Sequence, residues 1–268
     1  MPQPSVETPR QPARPQTGNR SWSFLPDSQP HHYSSVVTTL LELRTDTGTT
    51  KESLETTTDF TLAFSRSSSD SVPVRVTGSI DGLRLKGNGR TGQDTDFPFR
   101  PFSFSGQIDS GSLSLDSAGG AAFQIITACD SIGLNAVTGL NRNIVVLPRV
   151  VSTGMTWTDS STVPGCSGGI PIQLTAVKSY RVIGETGTPG TIEIGRNDRV
   201  RAVGEGAQGQ HRVMIQAAGT GSARILIDRS SGMLSQMEGE QKTDVIVTAS
   251  GRSQHFIQAV REKTVAIQ

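Results

Sequence analysis

The chain has 268 residues, 34% of them hydrophobic and 18% charged, with a formal net charge of +1. That length suits one large all-β domain or two small ones. Scattered lysines and arginines argue against the basic footprint of a nucleic-acid binder and against a polybasic membrane anchor; no run approaches the about 18 apolar residues of a membrane-spanning helix.

Residues 1–30 are expected to form a proline-rich extended arm. Pro2, Pro4, Pro9, Pro12, Pro15, Pro26 and Pro30 are half of the chain's 14 prolines, which disfavours both helix and central strand. Met1 leads straight into Pro2, Gln3 and Pro4 with no secretory signal pattern, so an exported chain would be one whose leader had been removed. Within the arm, Trp22, Phe24 and Leu25 form an apolar cluster. Two readings stay open for it: a strap on the domain's own surface, or a docking peptide for a protein partner.

Residues 31–268 read as a single β-rich domain. Tyr33 to Leu43 is rich in Val, Thr and Leu and closes at Asp46-Thr47-Gly48. Leu54, Thr56, Thr58, Phe60, Leu62 and Phe64 then alternate with polar residues, the period of a half-buried strand. Val72, Val74, Val76 and Ile80 repeat the alternation, and Asp81-Gly82 is expected to punctuate it before Leu83 and Leu85. Phe97, Phe99, Phe102 and Phe104 concentrate aromatic bulk, with Pro98 and Pro101 marking an edge or bulged strand. Leu113-Ser114-Leu115 completes the first half, residues 31–120.

The least repetitive stretch, 121–167, is expected to be a plug between two β-rich halves. Asp130 is placed to cap one central helix with the stripe Ile132, Ala136, Leu140, Ile144 and Leu147, ended by Pro148. Gly154 to Asp159 reads as a turn into a short strand carrying Trp157. The only cysteines, Cys129 and Cys166, bracket this stretch. A disulfide is expected, because Cys166 lies in a Pro-Gly-Cys-Ser-Gly-Gly loop where a lone thiol gains little from packing, and it implies an oxidising compartment. Two reduced buried thiols are the alternative.

The second half, 168–268, returns to strands. Ile170, Ile172, Leu174, Ala176, Tyr180 and Val182 alternate; Ile192 and Ile194 form one short strand and Val200 and Ala202 another, divided by Asn197-Asp198. Val213 and Ile215 precede Gly219-Thr220-Gly221, and Ala223, Ile225 and Ile227 run into a turn from Asp228 to Gly232. Met233 to Thr248 and Gln254 to Ile267 form a final hairpin around Ser250-Gly251. The expected fold is mainly β: a large curved antiparallel sheet or half-barrel of about ten strands with one central helix.

Several motifs look chemical and read as structural. Gly87 to Gly92 fits G-x-G-x-x-G but leads into a proline-broken stretch, not a helix, so no dinucleotide cofactor is expected. Gly165-Cys166-Ser167-Gly168-Gly169 resembles the nucleophile loop of chymotrypsin-like proteases, with Cys where that family has Asp and no suitably placed histidine. His31, His32, His211 and His255 lack metal-ligand spacing. Asp81, Asp109, Asp198 and Asp228 are assigned to turns. No catalytic, cofactor or metal residue is predicted.

Long curved strands, a helix against the sheet and a late Asp-x-x-Ser-Gly turn (Asp228 to Gly232) resemble the half-barrel lipoprotein carriers (Lol-type) of the bacterial envelope and related lipoproteins. The resemblance implies a periplasmic or envelope location. The functional expectation is a non-catalytic adaptor subunit docking through Trp22, Phe24 and Leu25 onto a membrane-associated protein complex. The alternative is a carrier of a lipid or other hydrophobic ligand, lined by Phe97, Phe99, Phe102, Phe104, Leu140 and Ile144.

Overall fold

The computed structural model describes residues 20–23, 28–45, 48–65, 74–87, 99–109, 112–118, 121–122, 129, 136–137, 139–145 and 147–267. After the short strand β1 (Ser21–Ser23) come two meanders. The first contains β2 (His31–Thr45), β3 (Gly48–Ser65), β4 (Val74–Gly87), β5 (Phe102–Asp109), β6 (Ser112–Ala118) and β7 (Ala121–Ala122). A crossing segment carries β8 (Val150–Ser152). The second meander contains β9 (Thr156–Ser167), β10 (Ile170–Glu185), β11 (Thr191–Gln208), β12 (His211–Asp228), β13 (Leu234–Ala249) and β14 (Arg252–Ile267).

The meanders fuse where β14 pairs antiparallel with β2, from Phe256↔Leu43 to Ile267↔His32. One 12-stranded antiparallel sheet results, in the order β7-β6-β5-β4-β3-β2-β14-β13-β12-β11-β10-β9. Near its two edges, β6 and β9 come into contact, so the sheet curls into a nearly closed barrel. The outer face is laced by cross-strand ion pairs such as Arg224–Glu193 at 2.7 Å and Lys263–Glu238 at 2.9 Å.

Period-two alternation sets which residues face the lumen. Thr58, Phe60, Leu62 and Phe64 are buried on the inner face of β3. Turn chemistry closes the hairpins: Ser250 and Gly251 both adopt positive φ between β13 and β14, as do Gly168 and Gly169 between β9 and β10, the backbone that a two-residue hairpin turn requires. Asp228 accepts the Ser230 and Ser231 backbone N–H groups at 2.8 and 2.9 Å, shaping the turn before β13.

Three expected breaks are not breaks. Asp81-Gly82 sits inside β4, where the register slips between Asp59↔Gly82 and Phe60↔Ile80. The extra residue is a bulge, which moves the inward set from Val74, Val76 and Ile80 to Leu83 and Leu85. Asn197-Asp198 lies within β11, and Gly219-Thr220-Gly221 within β12. A Cβ at Gly219 would collide with the Lys242 carbonyl and Thr243, so glycine here serves close approach between strands. Cys166, expected in a loop, is in β9 opposite Pro171.

Among the described residues the expected central helix does not run through to Leu147. Asp130 and Ile132 lie outside the described residues. Ala136, Val137 and Gly139 have helical backbone, Leu140–Arg142 form one 3-10 turn, and the chain leaves helical geometry after Asn143. β-Branched Ile144 and Val145 disfavour continuation, and Pro148 disfavours helix in the residue before it. The turn's last carbonyls are also taken by side chains from the barrel wall, described below.

The segment nevertheless crosses the lumen. Val137, Leu140 and Ile144 pack with Tyr33, Phe60 and Phe104 of the first meander. Leu147 and Val151 pack with Tyr180, Ile192, Ile194 and Ile225 of the second. Each such full burial contributes about 1.5–3 kcal/mol. Cys129 and Cys166 form a disulfide that ties the segment to β9 across a separation of 37 residues, worth about 3–4 kcal/mol by loop-closure entropy.

Candidate functional site

Where the segment turns, it is suspended from the barrel by a belt of polar side chains. In β10 and β11 these occupy positions in phase with the apolar inner face. Lys178 falls between Ala176 and Tyr180, while Arg196 and Asp198 fall between Ile194 and Val200. The antiparallel register sets Lys178 opposite Asp198 on one side and opposite Asp159 on the other. Arg196 lies in the same cross-strand row as Ala223, Gly239 and Glu262.

Two buried cations receive the end of the 3-10 turn. Lys178 Nζ donates to the Asn141 carbonyl, and Arg196 Nη1 donates to the Arg142 carbonyl at 2.7 Å. These are carbonyls that a helix end leaves without an intrahelical partner. From the opposite wall, the Leu113 backbone N–H donates to Asn141 Oδ1 at 2.9 Å. Asn143 Nδ2 reaches Ser35 Oγ at 3.5 Å, and Thr264 donates to that same oxygen at 2.9 Å. Strands from both meanders therefore hold one turn at the centre of the lumen.

The belt carries buried charge. Arg196 pairs with Asp198 Oδ2 at 2.9 Å with both side chains nearly enclosed. Burial pulls the Lys178 ammonium down to about 8; Arg196 pushes the same way, while Asp198, Asp159 and Glu262 oppose it. Burial holds Asp159 above its ordinary value, opposed by Lys178. Asp198 Oδ1 is sealed from solvent with no hydrogen-bond partner among the described residues. A cavity of about 40 Å³ beside it has room for a water molecule.

The turn separates two unlike spaces. On one side the lumen is packed, with Tyr33 stacked on Phe60 at 5.2 Å and Trp157 on Tyr180 at 4.8 Å. On the other is a cavity of about 470 Å³. Its wall includes Leu54, Leu83, Leu85, Val163, Ile172 and Leu174, and its floor includes Asn141, Arg142, Asn143, Lys178 and Glu262. Cys166 lies on the wall, so the disulfide is at the edge of this space.

Of the expected partner-binding and ligand-lining residues that are described, Leu140 lines the cavity. Trp22 is buried in the second meander's core and pairs with Val151 through β1 and β8, the strap geometry; Phe24, Leu25 and Phe97 lie outside the described residues. Phe99 and Phe102 pack against the first meander's core, and the Phe104 ring lies against Gly78 on β4. Ile144 is in the core; Leu140 is in the core and also on the cavity wall. The belt residues Lys178, Arg196, Asp198 and Glu262 were not anticipated, although charge in phase with an apolar alternation was their signal.

No family model, curated protein or solved structure matches this chain. Among the described residues, no helix is long and apolar enough to cross a membrane.

Proposed function

We propose that this chain is a non-catalytic carrier or binder of a lipid or other hydrophobic ligand, held in the open end of the barrel and acting in the periplasm or cell envelope. The observation that carries the reading is the cavity of about 470 Å³ with leucine, isoleucine and valine on its wall. Small-molecule sites span roughly 300–1,000 Å³ and are mostly apolar with a few polar groups. Leu54 faces this lumen and is 43% exposed, apolar surface that a ligand would cover. The Cys129–Cys166 disulfide favours an oxidising compartment.

The second reading, an adaptor subunit docking onto a membrane-associated protein complex, has one observation in its favour. Val150 pairs with Ser23 and is 55% exposed, placing an apolar side chain beside the arm that continues into Phe24 and Leu25.

Titrating the full chain with the neutral dye N-phenyl-1-naphthylamine separates the two. Saturable binding at one site is expected, and Leu85→Trp, which fills the cavity, should weaken it about tenfold or more, since the site then loses room for the ligand. No saturable binding, or binding indifferent to Leu85→Trp, contradicts the carrier reading and leaves the adaptor reading in its place.

A further inference from the structure

Which chemistry the ligand's polar end carries follows from which groups at the cavity floor still have hydrogen-bonding capacity. Lys178 is 4% exposed, and its ammonium has three donors. Among the described residues it has one hydrogen-bond partner, the Asn141 carbonyl. Arg142 contributes its own carbonyl to Arg196, yet among the described residues no hydrogen bond or ion pair engages its guanidinium. Both side chains line the cavity.

Of the acidic groups nearby, one lines the cavity among the described residues. Glu262, the one carboxylate on the cavity wall among the described residues, accepts from Ser35 Oγ at 3.4 Å. Asp198 Oδ2 takes Arg196, and its Oδ1 is closed to solvent. Asp159 faces Lys178 from β9 and is not on the cavity wall. The floor therefore presents unspent donors on two cations against a single carboxylate. An acceptor carrying negative charge complements it, because a charge-assisted hydrogen bond is about twice as strong as a neutral one.

Resting on the carrier reading, we propose that the ligand is an amphiphile with a single anionic head, such as a carboxylate. Its apolar chain lies along Leu54, Leu83 and Leu85 and its head meets Lys178 and Arg142 at the floor. The polar belt thus has two roles: it holds the crossing turn, and it offers its remaining donors to the ligand.

The test is calorimetric titration of the full chain with decanoate, decanol and decylamine, which share a chain and differ in the head. Decanoate is expected to bind about tenfold or more tighter than decanol, with decylamine weakest. Lys178→Met and Arg142→Gln should each bring decanoate toward the affinity of decanol and leave decanol unchanged. Arg142→Gln keeps the test open should Lys178→Met disturb the turn. Equal binding of decanoate and decanol to the native chain overturns the anionic head while the carrier reading stands, as does a preference that survives both substitutions. Binding of none of the three overturns both.

Discussion

Leu62 and Leu54 stand on the same face of β3, about 26 Å apart along the strand, yet Leu62 is 4% exposed and Leu54 43%. Strand geometry, residue type and facing are shared. What differs is the occupant of the lumen opposite each. At the Leu62 end the crossing segment inserts Val137, Leu140 and Ile144, and the arm adds Trp22 beside the second meander. At the Leu54 end the described residues leave a cavity. An alternating apolar strand thus specifies a surface to be covered, and the covering material is set by the topology. Among the described residues, the crossing segment covers one end only.

Breaking the packed end should cost far more than trimming the open one. Trp22→Ala is expected to lower stability to chemical denaturation by about 3–5 kcal/mol, the cost of truncating a buried aromatic. Leu54→Ala should cost less than about 1 kcal/mol, since its surface is already half hydrated. Comparable losses at the two positions would erase the distinction between the ends.

A smaller effect sharpens the comparison at the belt that divides them. Lys178 has an ordinary value of 10.5, lowered to about 8 in the fold by burial, with Arg196 adding to the shift and Asp198, Asp159 and Glu262 opposing it. Between those values the unfolded chain binds more protons than the folded one, so stability rises with pH. The rise should amount to about 2 kcal/mol between pH 8 and pH 10. Above pH 10 the trend reverses, because burial keeps Tyr33 and Tyr180 protonated in the fold while they ionise in the unfolded chain. Denaturant titrations across this range should show the rise, and Lys178→Met should flatten it.

The belt also marks where sequence reasoning stopped short. Alternation in β3 and β10 was enough to place those strands and their inward faces, and Ser250-Gly251 placed the β13–β14 hairpin. It failed where turn-forming pairs were absorbed into long strands. Asp81-Gly82 became a bulge because β3 supplies a continuous partner on one side. Asn197-Asp198 stayed in register because β10 and β12 pair with it on both sides, and propensity yields to such pairing. The helical stripe from Ile132 to Leu147 was a real set of lumen-facing residues in part, since Leu140 and Ile144 are buried, but the backbone after Asn143 is not helical. Lys178 interrupts the run from Ile170 to Val182 at an inward position, and Arg196 and Asp198 do the same between Ile194 and Val200. Their partners, the carbonyls of Asn141 and Arg142, are backbone atoms distant in sequence and invisible to any pattern.

The division of the lumen is tested most directly by thiol labelling along one face of β3. The native cysteines are joined to each other, so Leu54→Cys and Leu62→Cys each introduce a single reactive thiol. With a maleimide under native conditions, L54C should react readily and be slowed by added decanol, while L62C should react only on the timescale of global unfolding. Equal protection of both thiols, or equal reactivity, would contradict a barrel that is packed at one end and open to ligand at the other.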